Sequence, residues 1–413
     1  MKIAYLAPEL PALSATFVYN EILELEKKGT VVVPFSVHRP SGQIAEPSVQ
    51  NLKQRVTYLY ERSIFNVLKS HFRLLKRFPK RYISVVWTLF QDMFTLLING
   101  QARTAIGLGY RFLYAVPMAD ELLKHHCNHI HVHFAHIPTD IAMYAAGLSG
   151  IGFSVTSHAN DLFERGWLLS EKVSRSCFFG TISEFNKHFL IQNGADGNKI
   201  EVTRCGVDAS QFSTRQDHVV SEPVKVGLVG RLVEKKGVDI LLKALAVLRQ
   251  QGRNIRVLIA GSGPLSSDLK KQAFDLGLDE QAVVFLGSIP HKEVANFIEN
   301  LDIFVLPCKQ DSQGDMDGIP VVLMEAMLSG VPVISTRLSG IPELVINGET
   351  GLLVEPSDSD GLVSAINQMI DDTELRESML VSSVEKVRST FSLAENVDKL
   401  SQLFQMHAVR LRN

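Results

Sequence analysis

The sequence predicts an α/β protein built from two doubly wound, parallel-sheet domains that face each other across a cleft. Short β-branched runs alternate with helical patterns along most of the chain, the mark of repeated βαβ units. The strand runs are apolar throughout rather than alternating, as in a sheet covered by helices on both faces. At 413 residues the chain exceeds the roughly 250 to 300 at which one hydrophobic core stops growing, so the pattern divides into two domains.

In the first half, strands are expected at residues 3–6, 30–35, 130–134, 153–156 and 179–182. Residues 62–91 differ in kind. They hold Arg62, Lys69, Arg73, Lys76, Arg77, Lys80 and Arg81 with no acid, interleaved with Ile64, Phe65, Val67, Leu68, Phe72, Leu74, Leu75, Phe78 and Trp87. This predicts a basic amphipathic helical segment, open to three readings: a solvated face packed on the first domain, a surface that meets anionic lipid through residues 62–81, or a local nucleic-acid contact. Residues 201–208 and the polar stretch 210–223 read as the linker. Beyond it, strands are expected at 224–229, 256–260, 283–286, 303–306 and 331–335, with helices at 238–251, 265–276, near 292–300 and at 321–328. The domains therefore fall at 1–205 and 206–388, and residues 389–413 carry a further helical pattern.

Composition narrows the class. Apolar residues are 46% and charged residues 21%, values of an ordinary folded chain. The net charge of −2 provides no field to attract nucleic acid, and none is expected as a partner. Cys127, Cys177, Cys205 and Cys308 lack the spacing of a zinc site or redox pair, which favours a reducing compartment. The N-terminus reads as one short strand rather than a secretion signal, and the apolar stretch 83–98 is interrupted by Gln91 and Asp92, short of the ~20 residues that span a bilayer. A cytoplasmic location is expected, with peripheral attachment to the inner face of the membrane if the basic segment meets lipid.

Two segments carry chemistry. Residues 230–237, Gly-Arg-Leu-Val-Glu-Lys-Lys-Gly, follow an expected strand and open a helix, so backbone N–H groups, Arg231 and Lys236 converge where an anion would sit. Residues 315–327 again lead from a strand through a polar loop into a helix, with Pro320 expected at its first position. There Asp317 and Glu325 can present oxygens to ligand hydroxyls; an ordinary turn acid and a buried, base-paired helix acid are the plain alternatives. In the first half His158 ends a strand. His131, His133 and His136 cluster nearby but lack a helical His pair or a Cys, so no metal is expected. Asp315 and Asp317 mimic an Asp-x-Asp metal motif, which two cations and a helix N-terminus make redundant.

The order of motifs resembles the retaining glycosyltransferases of family 4. It runs Gly230-Arg231 to Lys236-Gly237, Gly261-Ser262-Gly263-Pro264, Phe285-Leu286-Gly287, Asp317-x7-Glu325, Gly330-Val331-Pro332, Gly340-Ile341-Pro342-Glu343, and Gly348-x-x-Gly351. Residues 317–325 and 11–17 are similar to the branch that builds bacterial exopolysaccharides of the colanic-acid type. The resemblance implies two Rossmann-like domains in the GT-B arrangement, an acceptor-binding first domain, a nucleotide-sugar-binding second domain, and a last helix that packs back on the first.

It also implies roles. Arg231 and Lys236 grip the donor diphosphate. Glu325 holds the ribose hydroxyls, and Asp317, where the family has Glu, contacts the transferred sugar with a side chain one methylene shorter. Gly230, Gly263, Gly287, Ile289, Gly318, Ile319 and Pro320 line the donor, mostly through the main chain, and His158 is the active-site histidine. The usual Gly-Gly pair after the first strand is absent. That loop can instead shape the acceptor site through Ser14 and Thr16, with Asp161 beside them, although Ser14 serves equally as a helix cap. A nucleotide-diphosphate sugar is the co-substrate and no further cofactor is implied. The acceptor would be an oligosaccharide or a polyprenyl-diphosphate-linked glycan. A sugar-nucleotide 2-epimerase and a non-catalytic glycan-binding scaffold are the alternatives.

Overall fold

A computed structural model describes residues 1–12, 15–40, 46–215, 220 and 222–407. The chain forms two compact units, Met1–Arg204 joined by the segment from Leu393 onward, and Cys205–Ser392.

The first unit holds β1 (Lys2–Glu9), β2 (Val31–His38), β3 (Thr57–Tyr58), β4 (His129–His133), β5 (Phe153–Ser157), β6 (Phe179–Thr181) and β7 (Ile200–Val202). They form one parallel sheet in the order β3-β2-β1-β4-β5-β6-β7. The second unit holds β8 (Val224–Val229), β9 (Ile255–Ala260), β10 (Val283–Gly287), β11 (Ile303–Val305), β12 (Val333–Thr336) and β13 (Leu352–Val354). Its parallel order is β10-β9-β8-β11-β12-β13. In both sheets the order reverses beside the first strand, between β1 and β4 and between β8 and β11. At such a switch point the connections leave toward opposite faces and open a crevice at the strands' carboxyl ends.

Each sheet is buried on both faces, which is why its strands read as apolar runs. Ile3, Ala4, Tyr5, Leu6 and Ala7 of β1 are all inaccessible, as are Ile303, Phe304 and Val305 of β11. Three strands escape the sequence reading: β3, β7 and β13, the last at Leu352–Val354 where no strand was expected. β3 has only two residues, too few for a periodic signal. Residues 201 and 202, read as linker, instead complete the edge of the first sheet in β7, where Gly180 pairs with Glu201 and Thr181 with Val202.

The last helix, Leu393–His407, belongs to the first unit. Val397, Leu400, Leu403 and Phe404 join Ile3, Tyr5, Val18 and Phe178 in one apolar cluster, and the Lys399 ammonium donates to the Val202 carbonyl at 2.8 Å. The second unit runs to Ser392, past the expected limit at 388, because helix Thr373–Thr390 continues through it.

The basic segment forms two helices, Ile64–Arg77 and Pro79–Ile98, extending beyond residue 91. The break falls at Phe78, where Pro79 opens the second helix without a donor to lose. Three of the seven bases turn inward: Arg62 pairs with Glu121 at 3.2 Å, Arg73 with Asp120 at 2.5 Å, and Arg81 donates to the Ser149 carbonyl at 3.1 Å. No described helix is long and apolar enough to cross a membrane.

Candidate active site

In the second unit the carboxyl ends of β8, β9 and β10 are knitted by backbone hydrogen bonds. The Gly230 amide donates to the Ala260 carbonyl at 3.0 Å, Gly261 to Gly287 at 2.7 Å, and Leu232 to Ser262 at 3.0 Å. A Cβ on Gly261 would lie 1.8 Å from the Gly230 carbonyl oxygen, so only glycine permits this approach. One sheet edge therefore presents Gly230, Gly263 and Gly287, with Ile289 half-buried just beyond β10.

The basic turn is pressed against the end of β11. Gly237 adopts φ of 65° before helix Val238–Gln250, and a Cβ there would sit 1.8 Å from the Pro307 carbonyl oxygen. This brings Lys236 Nζ to 2.6 Å from Asp317 Oδ2, while Lys235 Nζ lies 2.7 Å from Asp315 Oδ2 and 3.4 Å from Asp317 Oδ1. Lys236 and Asp317, assigned to different parts of a donor, thus hold each other. Burial pushes the Asp317 carboxyl up, but Lys236 and Lys235 outweigh it and keep it below its ordinary value. Burial likewise opposes the Lys236 charge, and Asp317 restores it and raises the amine. Burial, then Asp317, drives the adjacent Cys308 thiol well above its usual value, leaving it an unionised donor to Asp317 Oδ2 at 3.4 Å. Both acids of the Asp-x-Asp pattern are occupied by lysines.

Arg231 is exposed and makes no ion pair among the described residues. Gly318 and Ile319 are buried on the approach to helix Val321–Leu328. Pro320 occupies the position before that helix rather than its first turn, as its ψ of 122° requires. Glu325 is 9% exposed on the helix's inner side, and burial pushes its carboxyl up to about 7.

In the first unit His158 follows β5 and packs between Phe17 and Phe134, with ring centroids 4.6 and 4.5 Å away. Its Nε2 lies 3.0 Å from His133 Nδ1, and His133 Nε2 lies 2.9 Å from Glu21 Oε1, which also accepts from the Tyr5 hydroxyl. His133 thus bridges Glu21 and His158 through its two ring nitrogens. Burial, then His133 and His136, holds His158 well below the ordinary imidazole range, so the ring is neutral.

Burial also pushes His131 far down and His136 to about 3. Glu21, His131 and His133 form the one group among the described residues with metal-ligand spacing, their ligand atoms all within 4.8 Å. Those atoms are engaged already: His131 Nε2 with Thr156 Oγ1 at 3.2 Å, and His133 Nε2 with Glu21. Sequence reading missed Glu21, which lies on helix Thr16–Lys27 and 112 positions from His133.

The acceptor-side residues fare differently. Asp161 is fully buried and accepts from the amides of His158 at 3.0 Å and Ala135 at 2.6 Å, tying the loops after β4 and β5 together; it offers no surface to an acceptor, contrary to expectation. Thr16 is the half-buried first residue of its helix, with Ala15 at the cap position. Ser14 lies outside the described residues.

Residues 210–380 match the model of the family described as glycosyl transferases group 1. The chain carries a group 1 glycosyl transferase domain. That domain coincides with the second unit and contains Arg231, Lys236, Asp317 and Glu325. Over 98% of this chain and the whole of the relative, the sequence is 28% identical to a putative colanic acid biosynthesis glycosyltransferase, WcaL, of Salmonella typhimurium. It is 34% identical over 53% of this chain to the amylovoran biosynthesis glycosyltransferase AmsK of Erwinia amylovora, 56% of which is covered. Among solved structures, Anabaena Alr3699/HepE in complex with UDP-glucose has the same fold, with a TM-score of 0.72 at 17% identity over 98% of this chain and all of that one. The exopolysaccharide-type resemblance of the group 1 motifs thus agrees with the relatives found over the full length.

Proposed function

We propose that the protein is a retaining glycosyltransferase of bacterial exopolysaccharide synthesis, moving a hexosyl group from a nucleotide-diphosphate donor to a hydroxyl of a lipid-linked oligosaccharide on the cytoplasmic side. The observation that carries this reading is the carboxyl edge around β8 and β11. There Lys236, half-buried, is held charged by Asp317, in the same turn as exposed Arg231, and Asp317 leads into the helix bearing Glu325, whose carboxyl burial pushes up. The names of the full-length colanic acid relatives and of the UDP-glucose-bound neighbour support the polymer and the donor class.

In this reading the donor diphosphate takes Lys236 from Asp317, exchanging one anionic partner for another, and Asp317 turns to the hydroxyls of the transferred sugar. Glu325 accepts from the ribose. The bond between the anomeric carbon and the diphosphate oxygen breaks, and the acceptor oxygen bonds to that carbon on the same face. The acceptor proton passes to the departing phosphate. The chain's own contribution is charge stabilisation of that leaving group in a preorganised site. By the family resemblance, His158 would position the transferred sugar through a hydrogen bond rather than act as a nucleophile.

The experiment is thermal stabilisation by a panel of nucleotide diphosphates and nucleotide sugars. One base should raise the melting temperature selectively, with the shift lost in Arg231→Ala plus Lys236→Ala. A panel without any shift overturns the donor assignment.

Glu21 and His133 act as positioning residues for His158. Glu21→Gln is expected to lower kcat about tenfold, the worth of one positioned hydrogen bond, with donor Kd unchanged because neither group touches the nucleotide. An equal loss of donor affinity would mark a general disturbance of the fold instead.

A further inference from the structure

Helices Ile64–Arg77 and Pro79–Ile98 each have two apolar sides. On the first, Val67, Ser70 and Leu74 are buried, while Ile64, Phe65, Leu68, Phe72 and Leu75 are exposed. At about 100° per residue the exposed five occupy roughly one third of the circumference, facing away from the buried three. On the second, Val85, Leu89, Asp92 and Leu96 point inward, and Ile83, Trp87, Phe90, Phe94, Leu97 and Ile98 make an outward stripe at helical spacing. Trp87 is 66% and Phe72 71% exposed, so these rings are not partly covered core. Helix Ala102–Lys124, which packs on both, adds Ile106 and Tyr110 to the exposed set. A solvated helix face does not explain such a surface, since monomeric proteins rarely expose contiguous apolar patches above a few hundred Å².

The charge around the stripe is of one sign. The only acid from residue 62 to residue 98 is Asp92, which is buried and paired with Arg175 at 2.7 Å. Lys69, Lys76, Arg77 and Lys80 are exposed and have no acidic partner among the described residues, and Lys69, Lys76 and Arg77 border one depression with Phe72.

We propose that this three-helix face docks the protein on an anionic lipid surface, the aromatic stripe entering the headgroup boundary while the four bases meet lipid phosphates. Pairing the face with a second copy of the chain would instead bring both sets of unpaired cations together. The proposal stands on the helices alone and does not depend on the transfer reaction.

The test is co-sedimentation of the full chain with phosphatidylcholine vesicles, with and without phosphatidylglycerol, at low salt. Binding is expected only with phosphatidylglycerol, weakened about a thousandfold when Lys69, Lys76, Arg77 and Lys80 become Ser. Trp87→Ser with Phe90→Ser should abolish it without moving the melting temperature, because both rings are already in solvent. Absence of binding by the unaltered chain, or binding that survives both sets of substitutions, overturns the proposal. So does a concentration-dependent dimer that Trp87→Ser with Phe90→Ser dissolves, which would assign the face to a second copy.

Discussion

Arg231→Ala and Lys236→Ala are each expected to lower the transfer rate by about 10²- to 10³-fold, the usual worth of one preorganised group facing charge that develops in the transition state. The two should differ in their effect on the fold. Arg231 is exposed and unpaired among the described residues, so its removal is expected to leave unfolding free energy within about 0.5 kcal/mol. Lys236 sits against Asp317 at 2.6 Å, and its removal leaves that half-buried carboxylate to Lys235 at 3.4 Å and the Cys308 thiol. A loss of a few kcal/mol is the usual result of breaking such a pair, here limited by the second lysine, so about 1–2 kcal/mol is expected from denaturant unfolding. Arg231→Ala therefore separates chemistry from stability. A rate within threefold of the unaltered chain, measured with saturating donor, would remove Arg231 from the site.

How much of this was legible beforehand follows from the length scale of each signal. The buried strands β8, β9 and β11 announce themselves because a sheet covered on both faces needs unbroken apolar runs. The carboxyl edge of β8 and β9 was legible because its demands are local: Gly237 and Gly261 stand where a Cβ would strike a neighbouring carbonyl oxygen, and Lys236 directly precedes Gly237 in the same turn. Contacts between distant elements had no such signature. Glu21 meets His133 only because helix Thr16–Lys27 and β4 converge, and nothing in the spacing of either segment announces the other. Asp161 looked like a site acid because it follows His158 closely, yet that proximity is what lets it cap the His158 amide and disappear into the core. The inward turn of Arg62 and Arg73 was hidden for the same reason, their partners Glu121 and Asp120 lying on a helix that the basic segment packs against.

Glu325→Gln is expected to have opposite effects on stability and on donor binding. Burial raises the Glu325 carboxyl from its ordinary 4.5 to about 7, so the folded chain holds a proton there that the unfolded chain releases. The folded state binds more protons between those values, and stability therefore falls as pH rises from 4.5 to 7 and stays lower above it. The difference amounts to roughly 3 kcal/mol at pH 8, at 1.36 kcal/mol per unit, and Gln at this position should recover much of it. Donor binding runs the other way. On the proposed reading ribose hydroxyls would donate to the ionised carboxylate, so donor affinity should climb as pH passes through 7 and level off above it. Gln, which offers one uncharged acceptor, should weaken binding about a hundredfold at pH 8 and flatten that dependence, since hydrogen bonds to a charged group are worth about 1.5–3 kcal/mol each. Calorimetric titration of the nucleotide at several pH values, beside urea unfolding of both proteins, reads the two effects separately. A variant that gains stability and keeps its nucleotide affinity would make Glu325 a costly core residue with no part in the donor site. A variant that gains stability and loses affinity would mean that the fold tolerates a buried, reluctant acid because the ligand requires it.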